Sequence, residues 1–595
     1  MGLYTDLPPE INAVDIIIAG GGTAGCIVAS RLADADPNLS ILVVEAGPDG
    51  AGNANVDYPV FFLGNILPTS SVSTFYKSKK SGHTGDRELF VSTANVLGGG
   101  SATNMMHYSR AQRSDWDSWN VPGWSADELL PYMRKLESYH GPGSMDDHGT
   151  DGPVQVSTGT YASPRIQDQC ISAMNELGWP EIDDFYSAET CDGVQRPVRY
   201  ISRDGKRQDT ASRYLRPRLE DNKHPNLHVV VGTKVIKVLI EGQRATGIVL
   251  KGVAGEANER TIRANKLVVV SAGAFGTPAI LERSGVGSAE VLKRAGVTQV
   301  VDLPGVGREY EDHSLVIYSF RSALDPEETI DGILRGKMNP DELIQSNHAI
   351  LGWNAQEASL KIRPSEKDIA AFSPEFKEHW DIEYRNKKDK PLIVMALICA
   401  YPGDPTGVPE GQYFGMSVFT TDTLSKGHLH ITGPGLDDPV DFDVGCLSDE
   451  KGIDLQKHRW AYKKHREIAR RIGVFRGEYA PDHPQFPSGS KAVCVELDAP
   501  PQNVKDIEYS AEDGAIIDAW IRDKVNSTWH SLGTCKMAPV ENYGVVGPNL
   551  SVHGIQGLKL VDLSIAPKNV AANTNHTALV IGEKAADIII KELNL

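Results

Sequence analysis

No stretch of this chain approaches the roughly 18 uninterrupted apolar residues that a membrane-crossing helix needs, so no span is expected. Cysteine is scarce. The seven (26, 170, 191, 399, 446, 494 and 535) form no C-x-x-C pair and no metal-ligand spacing, so no metal is expected and the thiols read as reduced, inside a cell. Basic charge is in deficit, 60 Lys and Arg against 78 Asp and Glu for a net charge of −18, which argues against nucleic acid or an anionic membrane as partner. Two local basic stretches, Lys77–Lys80 and Lys457–Arg471, read as solvated faces. The first 14 residues lack both a basic and an apolar region, so no secretory signal is expected. The ending Glu592-Leu-Asn-Leu595 is not the S-K-L address, which favours a cytoplasmic over a peroxisomal location. Internal repeats and low-complexity segments are missing too. What remains is ordinary globular composition over 595 residues, longer than one core usually supports, so two domains are expected.

Glycine is placed where it counts. Ile16-Ile17-Ile18-Ala19 runs into Gly20-Gly21-Gly22-Thr23-Ala24-Gly25, and a helical pattern follows. Gly20, Gly22 and Gly25 fill the three fixed positions of G-x-G-x-x-G. The first permits the turn, the second lets backbone approach a pyrophosphate, and the third lets helix and strand pack closely. The helix start at Thr23 and Ala24 then offers unpaired N–H groups to phosphates. A second apolar run, Ile41–Val44, ends in Glu45-Ala46, 25 residues after Gly20, where a carboxylate suits a ribose hydroxyl. Together these predict a bound dinucleotide.

Farther along, Asn95–Asn104 forms a second glycine knot, and residues 140–205 read as an irregular connection. Strands are predicted at Leu227–Val231, Lys234–Glu241, Thr246–Lys251 and Leu267–Ser271. From about 320 to 515 the texture changes to alternating stretches such as Leu392–Ala400 and Tyr413–Phe419, which read as a mainly antiparallel sheet. The tail returns to a strand, Leu558–Asp562, and a long helix, Thr577–Leu593. The expected class is therefore α/β (α+β overall): a Rossmann-like domain, discontinuous in sequence (1–160, 205–320 and 515–595), with an inserted substrate-binding domain (161–204 and 321–514).

Gly20–Gly25, the Ala94–Asn104 knot, Gly273–Gly287, Leu303-Pro-Gly-Val-Gly-Arg-Glu-Tyr-Glu-Asp-His313 and roughly the final 70 residues together resemble the glucose–methanol–choline (GMC) oxidoreductases over nearly the whole chain. Within that family, Asn95–Tyr108, Trp460–Lys464, Thr528–Cys535 and Asn569–Thr574 are most similar to fungal alcohol (methanol-type) oxidases. The chain departs from them in the short stretch between Glu496 and Ile507, in its ending, and in Met105 where they carry phenylalanine. The resemblance therefore does not extend to octamer formation, peroxisomal targeting or methanol preference; a homo-oligomer stays open.

The resemblance implies FAD as cofactor. It places Val96, Gly98, Gly99, Ser101, Asn104, Met105, Ala272, Trp529, Asp562, Leu563 and Thr574 against it, with Val235 at the adenine. Thr103, five residues after Gly98, stands where some members attach FAD through histidine, so attachment is expected to be non-covalent. By motif position the catalytic pair is His530 and Asn573. An imidazole of ordinary pKa about 6.5 can take a hydroxyl proton near neutral pH, and an asparagine can hold the alcohol oxygen so that its C–H points at flavin N5. His553 and His576 fall off the catalytic positions and read as structural. Met105, Met106 and Trp529 suggest an apolar substrate pocket. The implied reaction is oxidation of a primary alcohol to the aldehyde, with dioxygen reduced to hydrogen peroxide. A dehydrogenase using quinone or dye acceptors and a flavin-containing hydroxynitrile-type lyase remain the alternatives.

Overall fold

Continuous apolar runs, rather than alternating ones, mark strands covered on both faces, and Ile16, Ile17 and Ile18 are each fully buried. In the computed structural model, which describes residues 2–186, 191–253 and 258–595, they form the strand Ala13–Ala19 at the middle of an eight-stranded sheet. Ile41–Val44, Leu227–Val230 and Gly2–Tyr4 extend it in parallel on one side. On the other side lies Arg260–Val270, whose ends have different neighbours. Its start pairs antiparallel with Arg244–Gly252, which in turn pairs antiparallel with Thr233–Glu241, while Val268–Val270 pair in parallel with Leu558–Leu560 from the end of the chain. The chain is thus α/β, with a Rossmann-type sheet assembled from segments more than 500 residues apart.

Two helices cross on this sheet. Thr23–Ala35 and Asn575–Leu593 approach so closely that a Cβ on Gly582 would lie 3.1 Å from the Ala24 Cα. Arg31 and Glu583 add an ion pair at 3.2 Å. Both helices begin without a side-chain cap, leaving their first N–H groups free.

A second sheet of seven antiparallel strands includes Ser314–Ser322, Gln412–Thr420, Ile393–Ile398 and Gln356–Ile362 as neighbours in that order. Leu315 pairs with Phe419 and Ile317 with Ser417, and these in turn face Val394 and Ala396. With a side-chain period of two, this register puts all six on one face of the sheet.

Two sequence expectations need correction. Residues 140–205 are not wholly irregular, because Pro164–Glu176 is a helix that buries Ile166, Cys170, Ile171 and Met174. Nor is Lys457–Arg471 a solvated face. It belongs to the helix Ile453–Arg471, in which Lys457, His458, His465 and Arg466 are buried. The Lys457 ammonium donates to the carbonyls of Thr421 and Asp422 at 2.9 and 2.8 Å and sits 3.2 Å from Asp454. Arg466 donates from Nε and Nη2 to Glu478 at 3.0 and 2.6 Å. A buried cation is tolerated when such partners surround it, and those partners lie outside the basic stretch. The Lys77–Lys80 stretch does carry exposed lysines, with Lys79 paired to Asp441. Among the described residues, no helix is long and apolar enough to cross a membrane.

Candidate active site

The glycine turn is sterically enforced. Gly20 has φ +114°, and a Cβ there would stand 2.3 Å from the Ser271 carbonyl. A Cβ on Gly25 would meet the Gly20 carbonyl at 2.1 Å. Gly99 (φ +54°) brings the second knot against the first, so that its Cβ would lie 2.7 Å from the Gly22 Cα. Gly98 N–H donates to the Gly21 carbonyl at 2.8 Å, and Thr23 Oγ1 joins Gly98 O to Ser101 N–H. The two knots form one wall.

That wall bounds a cavity of about 840 Å³. Gly20, Gly22, Thr23, Ala24, Glu45 and Ala46 line one end, with Val96, Gly99, Asn104 and Met105 beside them. Val235, Ala272, Asp562, Leu563 and Thr574 line it from the sheet and the last helix, and Met106, Trp529, His530 and Asn573 complete the set. Gly25, Gly98 and Ser101 do not reach the cavity; they sit behind it and hold the knots together. The six-residue face of the second sheet closes the remaining side, together with Gln356 and His107.

Glu45 receives the N–H of Gly21 on one oxygen (2.9 Å) and that of Gly47 on the other (2.8 Å). Burial nevertheless pushes its carboxyl up to about 7. Asp562 takes the N–H of Gly273 at 3.0 Å and of Ser564 at 2.7 Å. Two uncapped helix starts and a buried carboxylate, opening on one cavity, fit an elongated dinucleotide with a pyrophosphate near Thr23.

At the other end, His530 and Asn573 come together from loops 43 residues apart, with Asn573 Nδ2 3.3 Å from His530 Nε2. The residue before His530, Trp529, holds φ +59°, a strained backbone for a bulky side chain that its N–H bond to Ser527 Oγ (2.8 Å) helps to maintain. Asn573 does not cap the following helix; Thr574 occupies that position.

The tripeptide Glu311-Asp312-His313 holds both loops. Asp312 accepts the backbone N–H of His530 at 3.0 Å, and Glu311 accepts that of Asn569. His313 lies between the two loops, with Nε2 2.8 Å from the Val570 carbonyl and Nδ1 2.9 Å from His530 Nδ1. A carbonyl can only accept, so His313 Nε2 carries the proton. Burial holds His313 down to about 3, so it is neutral and its Nδ1 is an acceptor. His530 must then donate from Nδ1, which leaves its Nε2 unprotonated and facing Asn573. Burial first, then His313 and His107, hold His530 well below the ordinary histidine range. Its open face is the cavity rather than bulk water.

The Leu303–His313 stretch is family-like, but a role for its last three residues was not readable there. That role depends on two loops that follow more than 200 residues later. His553 donates to the Ala538 carbonyl (2.9 Å) and His576 is wholly buried, away from the cavity wall.

Family models described as GMC oxidoreductase match residues 14–315 and 423–582. An alcohol oxidase of Candida boidinii is 38% identical, over 97% of this chain and 95% of its own. Among solved structures, formate oxidase superposes with TM-score 0.83 at 22% identity (98% of this chain, 99% of that one). An FAD-dependent oxidoreductase from Chaetomium thermophilum superposes at 0.79 with 25% identity (98% and 100%). With two family models in order and a relative matched nearly end to end, this chain belongs to the GMC oxidoreductase family.

Proposed function

We propose that this protein is an FAD-dependent alcohol oxidase, converting a primary alcohol to its aldehyde and dioxygen to hydrogen peroxide. The observation that carries the reading is the unprotonated His530 Nε2 facing Asn573 on the cavity wall. FAD, when bound, supplies the hydride acceptor and passes the electrons to dioxygen. A hydroxyl seated between the two side chains donates to His530 Nε2 and accepts from Asn573 Nδ2. The carbinol oxygen becomes strongly acidic as its C–H bond breaks, so a base of low pKa suffices to take the proton. Asn573 fixes the oxygen and thereby the direction of the C–H bond.

Thr23 and Ala24 would hold the pyrophosphate with helix N–H groups, Glu45 the adenosine ribose, and Val235 the adenine. Asp562, Leu563, Trp529 and Thr574 would hold the flavin half. The direct test adds one equivalent of primary alcohol without oxygen and then admits air. One equivalent of flavin should bleach, and one of peroxide should form. An absence of bleaching with every alcohol would favour a lyase, and bleaching without peroxide a dehydrogenase.

Attachment is non-covalent in this reading, because Thr103 offers no imidazole to the cavity it lines. Acid precipitation should therefore release intact FAD into the supernatant, leaving a colourless pellet. A yellow pellet overturns this.

Glu45 gives FAD affinity a pH dependence. Ribose hydroxyls favour the carboxylate, so a carboxyl that titrates near 7 when FAD is absent must lose its proton to bind well. Affinity is then highest above pH 7 and falls as the pH drops through 7. Glu45→Gln should weaken binding about tenfold above pH 7, the ~1–1.5 kcal/mol separating a charged from a neutral hydrogen bond, and should flatten the profile. Fluorescence titration of FAD-stripped protein measures both.

A further inference from the structure

Gln356 is 3% exposed, yet it lines the cavity from the second sheet. Its amide oxygen is 2.6 Å from His107 Nδ1, and His107 Nε2 is 3.0 Å from Ser359 Oγ. An amide oxygen only accepts, so His107 donates to it from Nδ1; burial holds His107 down to about 4, so the ring is neutral and its Nε2 accepts from the Ser359 hydroxyl. This leaves the Gln356 NH2 with no partner among the described residues, and the cavity is what it meets. The NH2 opens onto the cavity rather than into the packed core, and it is held in that orientation by two further side chains.

Its position relative to the catalytic pair follows from the sheet register. The Phe419 ring lies 5.4 Å from the His530 ring. Phe419 pairs with Val394, and Ile398, four residues along the same strand, pairs with Gln356, which therefore lies two strands over and four residues along. At about 4.8 Å per strand and 3.3 Å per residue, the two Cα positions stand roughly 16 Å apart. The face between them is apolar or small: Val394, Ala396 and Ile398, with Ser417 bonded back to the Ala396 carbonyl.

We propose that Gln356, oriented by His107 and Ser359, is a distal substrate subsite that selects alcohols bearing a hydrogen-bond acceptor, such as an ether or carbonyl oxygen, several atoms beyond the carbinol. This rests on the alcohol-oxidising reading above. The apolar face takes the intervening chain, and the Gln356 NH2 donates to the acceptor. An alkanol of the same length would bury that donor unpaired, which is how a polar site rejects an apolar analogue.

The probes are straight-chain primary alcohols of five to eight carbons and ω-methoxy primary alcohols of equal length. Two quantities are compared: kcat/KM in the wild type, and Kd from flavin absorbance changes in a holoenzyme slowed by His530→Ala. At the best-fitting length, the ω-methoxy alcohol should be favoured roughly three- to tenfold in both, the value of one hydrogen bond. Gln356→Leu should reverse the order, since an ether oxygen is then the costlier group to bury. Gln356→Glu, close in shape but an acceptor only, should also lose the ether preference. Equal or better use of the alkanol at every length in the wild type overturns the proposal, as does an ether preference that survives Gln356→Leu. If no alcohol bleaches the flavin, the oxidase reading fails, and the binding ratio still decides the subsite.

Discussion

Replacing His530 with alanine slows anaerobic reduction of the bound flavin by alcohol roughly 10²–10⁴-fold, the loss expected of a positioned general base. FAD content stays unchanged, because the cofactor end of the cavity is built by the glycine knots, Glu45 and the strand end at Asp562. Asn573→Ala keeps the base and loses only the positioning of the hydroxyl, so it costs less. A substrate deuterated at the carbinol carbon should show a primary isotope effect on the same step. The pH profile is part of the expectation. A histidine held well below its ordinary range is unprotonated throughout physiological pH, so protonation sets in only as the pH falls toward that depressed value. The wild-type reduction rate should therefore be flat from about pH 6 to 9 rather than falling below an ordinary histidine pKa near 6.5. Stopped-flow bleaching measures both. A wild-type rate in His530→Ala would remove His530 from the chemistry while leaving the fold untouched.

What the sequence discloses depends on how local each feature is. Gly20 to Gly25 and Glu45 were readable because strand, turn, helix and acid follow within one βαβ unit, and the cavity wall they build has that order. The pairing of His530 with Asn573 was readable only through family resemblance. Nothing around Trp529-His530 distinguishes it from a packed pair until Asn573 and His313 arrive from elsewhere. Lys457 and Arg466 were misread for the same reason, since the carbonyls of Thr421 and Asp422 and the Glu478 carboxylate lie outside the basic stretch. Gln356 gave no signal. One polar residue in a strand faces either solvent or a cavity, and only the register against Ile398 and the His107 contact decide which.

Removing the His313 imidazole should cost nearly as much as weakening the base itself. His313→Leu takes away the acceptor for the His530 Nδ1 proton. The His530 ring then gains nothing from keeping that proton on Nδ1, and the tautomer with Nε2 protonated, which cannot accept from alcohol, becomes populated. Loss of an orienting partner behind a functional histidine costs roughly 10–100-fold, and a fully wrong tautomer in a serine protease costs about 10⁴. A value of the order of 10²-fold on flavin reduction lies between them. Alcohol Kd should change little, because His313 does not line the cavity. His313→Asn is the discriminating variant. Its side-chain oxygen can take the place of Nδ1 and accept the His530 proton, while the bond to the Val570 carbonyl is lost. Asn should therefore recover much of the rate that Leu loses, even though both remove the link to the Asn573 loop. If Leu and Asn are equally slow, His313 serves only to hold that loop in place. If both keep the wild-type rate, the proton arrangement across the two histidines has no part in the reaction.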